Sequence, residues 1–217
     1  MSKRLSLTVT AKQRFLQLAH VEYTDEGGQT RQWELTQRAC TRVAAATPLS
    51  SRVDPPIFQV DCVDIFARIA VPLFDTEGQH GDSIVVISQY RPPVDAVCLE
   101  FPAGIIDPGE DPVTAALREL KEETGFVVEA ADCSVSPPLA YEPGLTDSCF
   151  HFVSIVVNGT LPENKAPKQH LDDGEYIQVH LLPKQGFLQG LLRLQGTFGR
   201  CIIDSKLYSF AVALSLN

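Results

Sequence analysis

The chain has 217 residues, enough for one ordinary domain or one domain with a small appendage. Hydrophobic residues make up 44% and charged residues 21%, the balance of a soluble globule, and no run approaches the roughly 20 apolar residues of a bilayer-spanning helix. A net charge of -9 argues against a general nucleic-acid or membrane binder, but leaves room for an anionic substrate, because a bound divalent cation can reverse the local charge.

Residues 1 to 21 carry Lys3, Arg4, Lys12 and Arg14 and no acid. A basic, mobile tail on a cytoplasmic protein accounts for this; an organelle transit peptide is the alternative. The apolar pattern from Phe15 to Tyr23, the turn signal Asp25-Glu26-Gly27-Gly28 and the partial alternation from Thr30 to Arg38 predict a β-hairpin. Residues 46 to 56 hold three prolines and two serines, the composition of a linker or exposed insertion. Val63 to Phe74 and Ser83 to Arg91 predict strands flanking the polar loop DTEGQHGD. Cys149 to Val157 predicts a buried strand, residues 158 to 175 a long polar loop, and Tyr176 to Leu182 another strand. Two helices follow, in GFLQGLLRL and in DSKLYSFAVALSL. In the second, Asp204 suits the N-cap, and Leu207, Phe210, Ala211 and Leu214 form an apolar stripe. This order predicts an α+β sandwich (residues 59–217) with a β-rich N-terminal subdomain, tail and linker (residues 1–58).

Six cysteines, Cys40, Cys62, Cys98, Cys133, Cys149 and Cys201, are widely spread with no C-x-x-C pair. That spacing fits free thiols in a reducing compartment better than a zinc site or a disulfide scaffold.

The chemistry gathers in GIIDPGEDPVTAALRELKEETGF, from Gly104 to Phe126. Asp111 can cap a helix there, Pro112 suits its first position and Gly125 its end, so the spacing predicts a helix over 112–124. At about 100° per residue, Val113, Ala116, Leu117 and Leu120 share the core-facing side. Glu119, Glu122 and Glu123 fall on an adjacent arc, and the Glu119–Glu123 pair at i,i+4 costs a few tenths of a kcal/mol. A solvated acidic face would tolerate this. Glycines at both ends and acids in the middle fit better with a hard divalent cation held by carboxylates and shared with a substrate's phosphate oxygens.

The segment resembles the Nudix box, G-x5-E-x7-R-E-U-x-E-E-x-G-U, where U is a bulky apolar residue. Gly104, Glu110, Arg118, Glu119, Leu120, Glu122, Glu123, Gly125 and Phe126 occupy all its defined positions. The resemblance implies an α/β/α sandwich and a metal-dependent hydrolase of nucleoside diphosphates linked to another moiety. It places metal on Glu119, Glu123 and the Ala103 carbonyl. It makes Glu122 a ligand or accessory acid, and Arg118 a residue that orients the carboxylates.

Outside the box, QYRPPVDAVCLEFPAG, TRQWE, YEPGLTD, DDGEY and YSFAVAL resemble the ADP-ribose and ADP-sugar pyrophosphatase branch, especially its eukaryotic members. That branch implies a homodimer in which the N-terminal hairpin is exchanged and supplies aromatics that sandwich adenine, here Trp33 and Phe15. Close members carry a second tryptophan where this chain has Phe15. Arg38 and Arg91 match positions contacting the phosphates or adenine. Glu100, on the strand before the box, is either a substrate or metal contact or a structural acid. Glu175, in the loop ending LDDGEY, matches an acid that reaches the metals and is the candidate general base.

The expected reaction is Mg²⁺-dependent cleavage of ADP-ribose and related ADP-sugars to AMP and a sugar phosphate, with Mn²⁺ as a substitute ion. The alternatives are a hydrolase of oxidised nucleoside diphosphates of the 8-oxo-GDP type and a catalytically weak ADP-ribose-binding protein. An isomerase of isoprenoid diphosphates on the same fold would need a catalytic cysteine and a different frame around the box.

Overall fold

The computed structural model describes residues 1–39, 60–70 and 82–216. The chain divides into two compact units. One gathers the described parts of Met1–Cys62 with Ile106–Glu110 and Pro137–His151, and the other Val63–Ile105, Asp111–Ser136 and Phe152–Asn217. Cys40, the 46–56 linker and most of the loop expected before Ser83 lie outside the described residues.

In the first unit, β1 (Lys3–Lys12), β2 (Leu16–Thr24) and β3 (Thr30–Arg38) form an antiparallel sheet in that order. The expected hairpin is β2–β3, paired without a break from Leu16↔Arg38 to Thr24↔Thr30. Gly28 takes φ +79° in its turn, a conformation glycine adopts without a Cβ penalty. The expected mobile tail is instead strand β1, paired to β2 from Lys3↔Thr24 to Lys12↔Gln17. Its basis is legible in hindsight: Leu5, Leu7 and Val9 alternate with Ser6, Thr8 and Thr10, a period-2 pattern that the run of positive charges masked. A segment remote in sequence docks on β3. Thr36 N–H donates to the Leu145 carbonyl at 2.8 Å. The amide of Gln37, only 1% exposed, donates to the Asp147 carboxylate and accepts from Gln17 Nε2 at 2.9 Å.

The second unit holds most strands of the larger, nine-stranded sheet. Strand β4 spans Cys62–Ile69, and Val71–Phe74 of the stretch expected as strand lie outside the described residues. Strand β5 (Ser83–Arg91) pairs with β11 (Ile177–Pro183) along most of its length. It also pairs with β6 (Ala96–Glu100) near its end and with β4 near its start. With β11 saturating one edge, β6 and β4 share the other. The short strand β7 (Ala103–Ile105) follows β6 and pairs with β4. Strands β8 (Cys133–Val135) and β9 (Leu139–Ala140) pair antiparallel with β10 (Cys149–Val157), and β12 (Cys201–Ile203) pairs parallel with β6.

Ile84 and Val86 of β5 pack with Leu99 and Phe101 against Phe187 and Leu191 of helix α3 (Phe187–Gln195) and Leu207 and Ala211 of α4 (Ser205–Ser215). Their neighbours Val85 and Ile87 are equally sealed and point to the opposite face by strand alternation, so the sheet is covered on both sides. Phe101 is the hub of an aromatic cluster, with Phe66, Phe152 and Phe210 set edge-on to it at centroid distances of 6.0, 5.5 and 5.7 Å. Asp204 caps α4 as expected, accepting from the Lys206 and Leu207 amides.

The long polar loop between β10 and β11 is more ordered than its composition implies. It contains a helical turn, α2 (Pro162–Lys165), and Asn164, which is fully buried. Asn164 accepts from Val127 N–H at 2.8 Å and donates to the Val127 and Asn158 carbonyls at 2.9 and 3.0 Å. Removing these partners leaves backbone groups unpaired, so Asn164→Leu is expected to destabilise the protein by about 1–3 kcal/mol, read from chemical denaturation midpoints. A loss below about 0.5 kcal/mol would show that the network is dispensable.

Candidate active site

Helix α1 (Pro112–Thr124) has the limits its sequence predicts. The Asp111 carboxylate accepts from the Val113 and Thr114 amides at 3.0 and 3.2 Å, and Pro112 occupies the first turn, where its missing N–H has no partner to lose. Gly125 ends the helix at φ +79°. A Cβ there would lie 2.3 Å from the Lys168 nitrogen, so the helix end is closed by a segment that follows it by more than forty residues.

The buried face is not quite the expected one. Ala115, Ala116, Leu120, Glu123 and Thr124 are buried, whereas Val113 and Leu117 are only half-buried. The C-terminal turn meets the loop around Lys168–His170 through its carbonyls and Gly125, and Glu123 in that turn is withdrawn from water. That glutamate is 5% exposed, and its carboxylate accepts from Ala103 N–H at 3.0 Å.

The neighbouring acids are held differently. Arg118 donates to the Glu119 carboxylate at 2.7 Å, to Glu122 at 3.2 Å and to the Ile105 carbonyl at 2.9 Å. Gly104 is the floor beneath Glu119: a Cβ at this position would sit 1.8 Å from the Glu119 carboxyl carbon. Beside them, Arg91 grips Glu100 with two nitrogens, Nε at 2.9 Å and Nη2 at 2.6 Å. Burial outweighed by this carboxylate leaves the Arg91 guanidinium above its ordinary pKa.

Electrostatics single out Glu123. Burial, then the negative charges of Glu119 and Glu175, push its carboxyl up to about 8, against the Ala103 amide and Arg91, which pull it down. Burial also raises Glu119, with Arg118 opposing and Glu122 and Glu175 reinforcing. Glu175 therefore stands close enough for both helix acids to feel it. Its own carboxylate accepts from Asp172 N–H at 3.2 Å across a turn in which Gly174 takes φ +85°.

The donor set is all hard oxygen, mutually repelling and partly desolvated, and it fits a hard divalent cation. As they stand, no three His, Cys, Asp or Glu side chains among the described residues converge on one ion. Glu119 and Glu122 are turned onto Arg118, which supplies the local positive charge.

The residues expected to hold the base lie in the first unit. Trp33 is about half exposed and its indole N–H donates to the Gly144 carbonyl at 3.0 Å. Phe15 is 57% exposed, with the Arg14 guanidinium 4.7 Å over its ring. No ring contact joins Phe15 to Trp33 among the described residues. Arg38 ends β3 opposite Leu16 and is half-buried.

The profile of the NUDIX domain matches residues 65–193, more than half of the chain. The chain belongs to the Nudix family. It is 34% identical over 201 residues to the mouse (Mus musculus) ADP-sugar pyrophosphatase, spanning 93% of this chain and 82% of that one. It is 34% identical over 185 residues to the ADP-ribose pyrophosphatase of Saccharomyces cerevisiae, 85% of this chain and 71% of that one. The crystal structure of an ADP compounds hydrolase superposes with a TM-score of 0.60 at 20% identity, over 99% of this chain and 92% of that one, which establishes the fold. Nudix hydrolases work with a divalent metal ion. No helix among the described residues is long and apolar enough to cross a membrane.

Sequence reasoning missed Asn164, Gln169 and His170 of this Nudix chain. His170 N–H donates to the Glu122 carbonyl at 2.8 Å, and Gln169 Nε2 to the Glu123 carbonyl at 2.6 Å. No local signal marks them, because they serve a helix end far away in sequence.

The Glu123 shift has a signed consequence. A carboxyl whose folded pKa lies above its unfolded value of 4.5 stabilises the fold below that value and loses the contribution as pH rises toward about 8. The metal-free protein is therefore expected to lose melting temperature between about pH 4.5 and 8, and Glu123→Gln to flatten that slope. Parallel pH–Tm profiles of the two proteins in a chelator would contradict it.

Proposed function

We propose that this Nudix protein hydrolyses the diphosphate of ADP-ribose and related ADP-sugars, releasing AMP and a sugar phosphate, with Mg²⁺ or Mn²⁺ as its ion. The observation that carries this reading is the pair of partly desolvated helix acids, Glu119 packed on Gly104 and Glu123 on the Ala103 amide, with Glu175 near enough to add its charge to both. The names of the mouse and yeast relatives support the substrate class.

In this reading the carboxylates of Glu119, Glu122 and Glu123 and the carbonyl of Ala103 hold the cation. When bound, the cation neutralises phosphate oxygens and favours the ionised carboxylates. The protein's own groups supply the rest. Arg118 keeps Glu119 and Glu122 in one orientation. Glu175 takes the proton of the attacking water, a role that suits an acid carried on a loop turn rather than buried in the helix. Arg91, oriented by Glu100 and 40% exposed at its side chain, faces a phosphate or the adenine. The close approach at Gly104 excludes any side chain between substrate and Glu119. Trp33 offers a ring whose orientation is fixed by the Gly144 carbonyl, and Phe15 and Arg38 complete the base-binding set.

Purified protein is expected to release AMP from ADP-ribose only with Mg²⁺ or Mn²⁺, and Glu123→Gln to lower kcat by about 100-fold or more. Faster turnover of 8-oxo-GDP than of any ADP-sugar would move the assignment to oxidised nucleotides. Failure to cleave every nucleoside diphosphate conjugate would falsify it.

The N-terminal sheet leaves Leu5, Val9, Leu16 and Leu18 each more than 40% exposed, an apolar set that suits burial against a second copy of the chain. The active form in this reading is a homodimer that exchanges the hairpin. Sedimentation equilibrium is expected to give twice the chain mass, and Trp33→Ala to raise KM about 10-fold with kcat little changed, the worth of one stacked base. A monomer at micromolar concentration contradicts the dimer; an unchanged KM contradicts the stacking.

A further inference from the structure

The geometry points to Gln169 as a positioning residue that sets the distance between the Glu175 loop and the acids of α1. This rests on the hydrolase reading above, in which Glu175 accepts a proton.

The last carbonyls of an α-helix have no partner within the helix. In α1 these include Glu122 O and Glu123 O, which belong to the residues carrying two of the site's acids. Both are satisfied from one short stretch: His170 N–H takes Glu122 O at 2.8 Å and Gln169 Nε2 takes Glu123 O at 2.6 Å. The same Gln169 nitrogen also donates to the Ile177 carbonyl at 3.1 Å. One side-chain amide thus ties the helix end to the first residue of β11.

Glu175 lies between those tie points. Residues 169 and 177 form the two feet of the loop that bears it, and the amide bridges them. Within the loop the Asp172–Glu175 turn fixes the carboxylate locally, with Glu175 N–H donating to the Asp172 carbonyl at 3.0 Å and Asp172 N–H to the Glu175 carboxylate at 3.2 Å. The turn orients Glu175 within its loop. Gln169 registers that loop on the helix that carries Glu123. The main chain reinforces the register at Gly125, where the approach of Lys168 leaves no room for a side chain. Gln169 itself is exposed, so its packing contributes little and its two hydrogen bonds carry the role.

Gln169→Met keeps the length and volume of the side chain and removes both donors. Four full-length proteins test the inference: wild type, Gln169→Met, Glu175→Gln and the double variant. Each is assayed for kcat and KM in AMP release from ADP-ribose with Mg²⁺, and for backbone hydrogen exchange over residues 170–176. Gln169→Met is expected to lower kcat at least 10-fold with KM within 3-fold, and to speed exchange in that loop. Because the effect runs through Glu175, the double variant is expected to match Glu175→Gln within 2-fold. Gln169→Asn, a methylene too short to reach both carbonyls, is expected to fall between wild type and Gln169→Met, and it decides the matter if the Met variant folds poorly. A kcat within 2-fold of wild type, losses that multiply in the double variant, or unchanged loop exchange each overturn the inference. A wild type that releases no AMP, yet whose loop exchanges faster on Gln169→Met, overturns the hydrolase reading and leaves the clip standing as structure alone.

Discussion

Everything at this site turns on carboxylates held closer together, and drier, than their charges favour. Glu123 is almost sealed from water, feels both Glu119 and Glu175, and has its carboxyl pushed up to about 8. Arg118 offsets part of the repulsion by bridging Glu119 and Glu122, and the Ala103 amide offsets part of it at Glu123. What is left over is affinity for positive charge. A donor set of this kind suits a hard divalent cation.

That arrangement depends on how α1 ends. Its start is self-contained, since Asp111 and Pro112 cap it from neighbouring residues. Its end is not. Glycine at 125 frees the backbone to turn, and a segment from the β10–β11 connection then closes over it, supplying the donors that the final carbonyls lack. The connection that makes this closure also carries Glu175, whose charge reaches Glu119 and Glu123. Asn164, sealed a few residues upstream, holds the connection to Val127 just beyond the helix. A stretch with the composition of a solvated loop therefore does the work of a helix cap.

The N-terminal sheet obeys a different economy. Its strands are long and paired along most of their length, with two register shifts between β1 and β2, yet most of their side chains are exposed, several of them large and apolar. Sheets with so little burial on either face are marginal alone. Within its own unit the sheet gains anchorage from the 142–147 segment, through Trp33, Thr36 and Gln37.

Much of the fold was legible from local pattern. Strands β5 and β10 and helix α1 have the limits their sequences predict, because alternation, apolar runs and capping residues are local signals. Strand β1 was hidden by its positive charges, and β8, β9 and β12 are too short to carry a pattern of their own. The spacing of Gly104, Arg118, Glu119, Glu122 and Glu123 by itself pointed to the family, since a helix places the last four side chains close together whatever surrounds it. Only the tertiary structure decided which acid is buried, what caps the helix and which distant carboxylate faces it. Desolvation and hydrogen bonding to a helix end are set by residues some fifty positions away, and no periodicity within the segment can encode them.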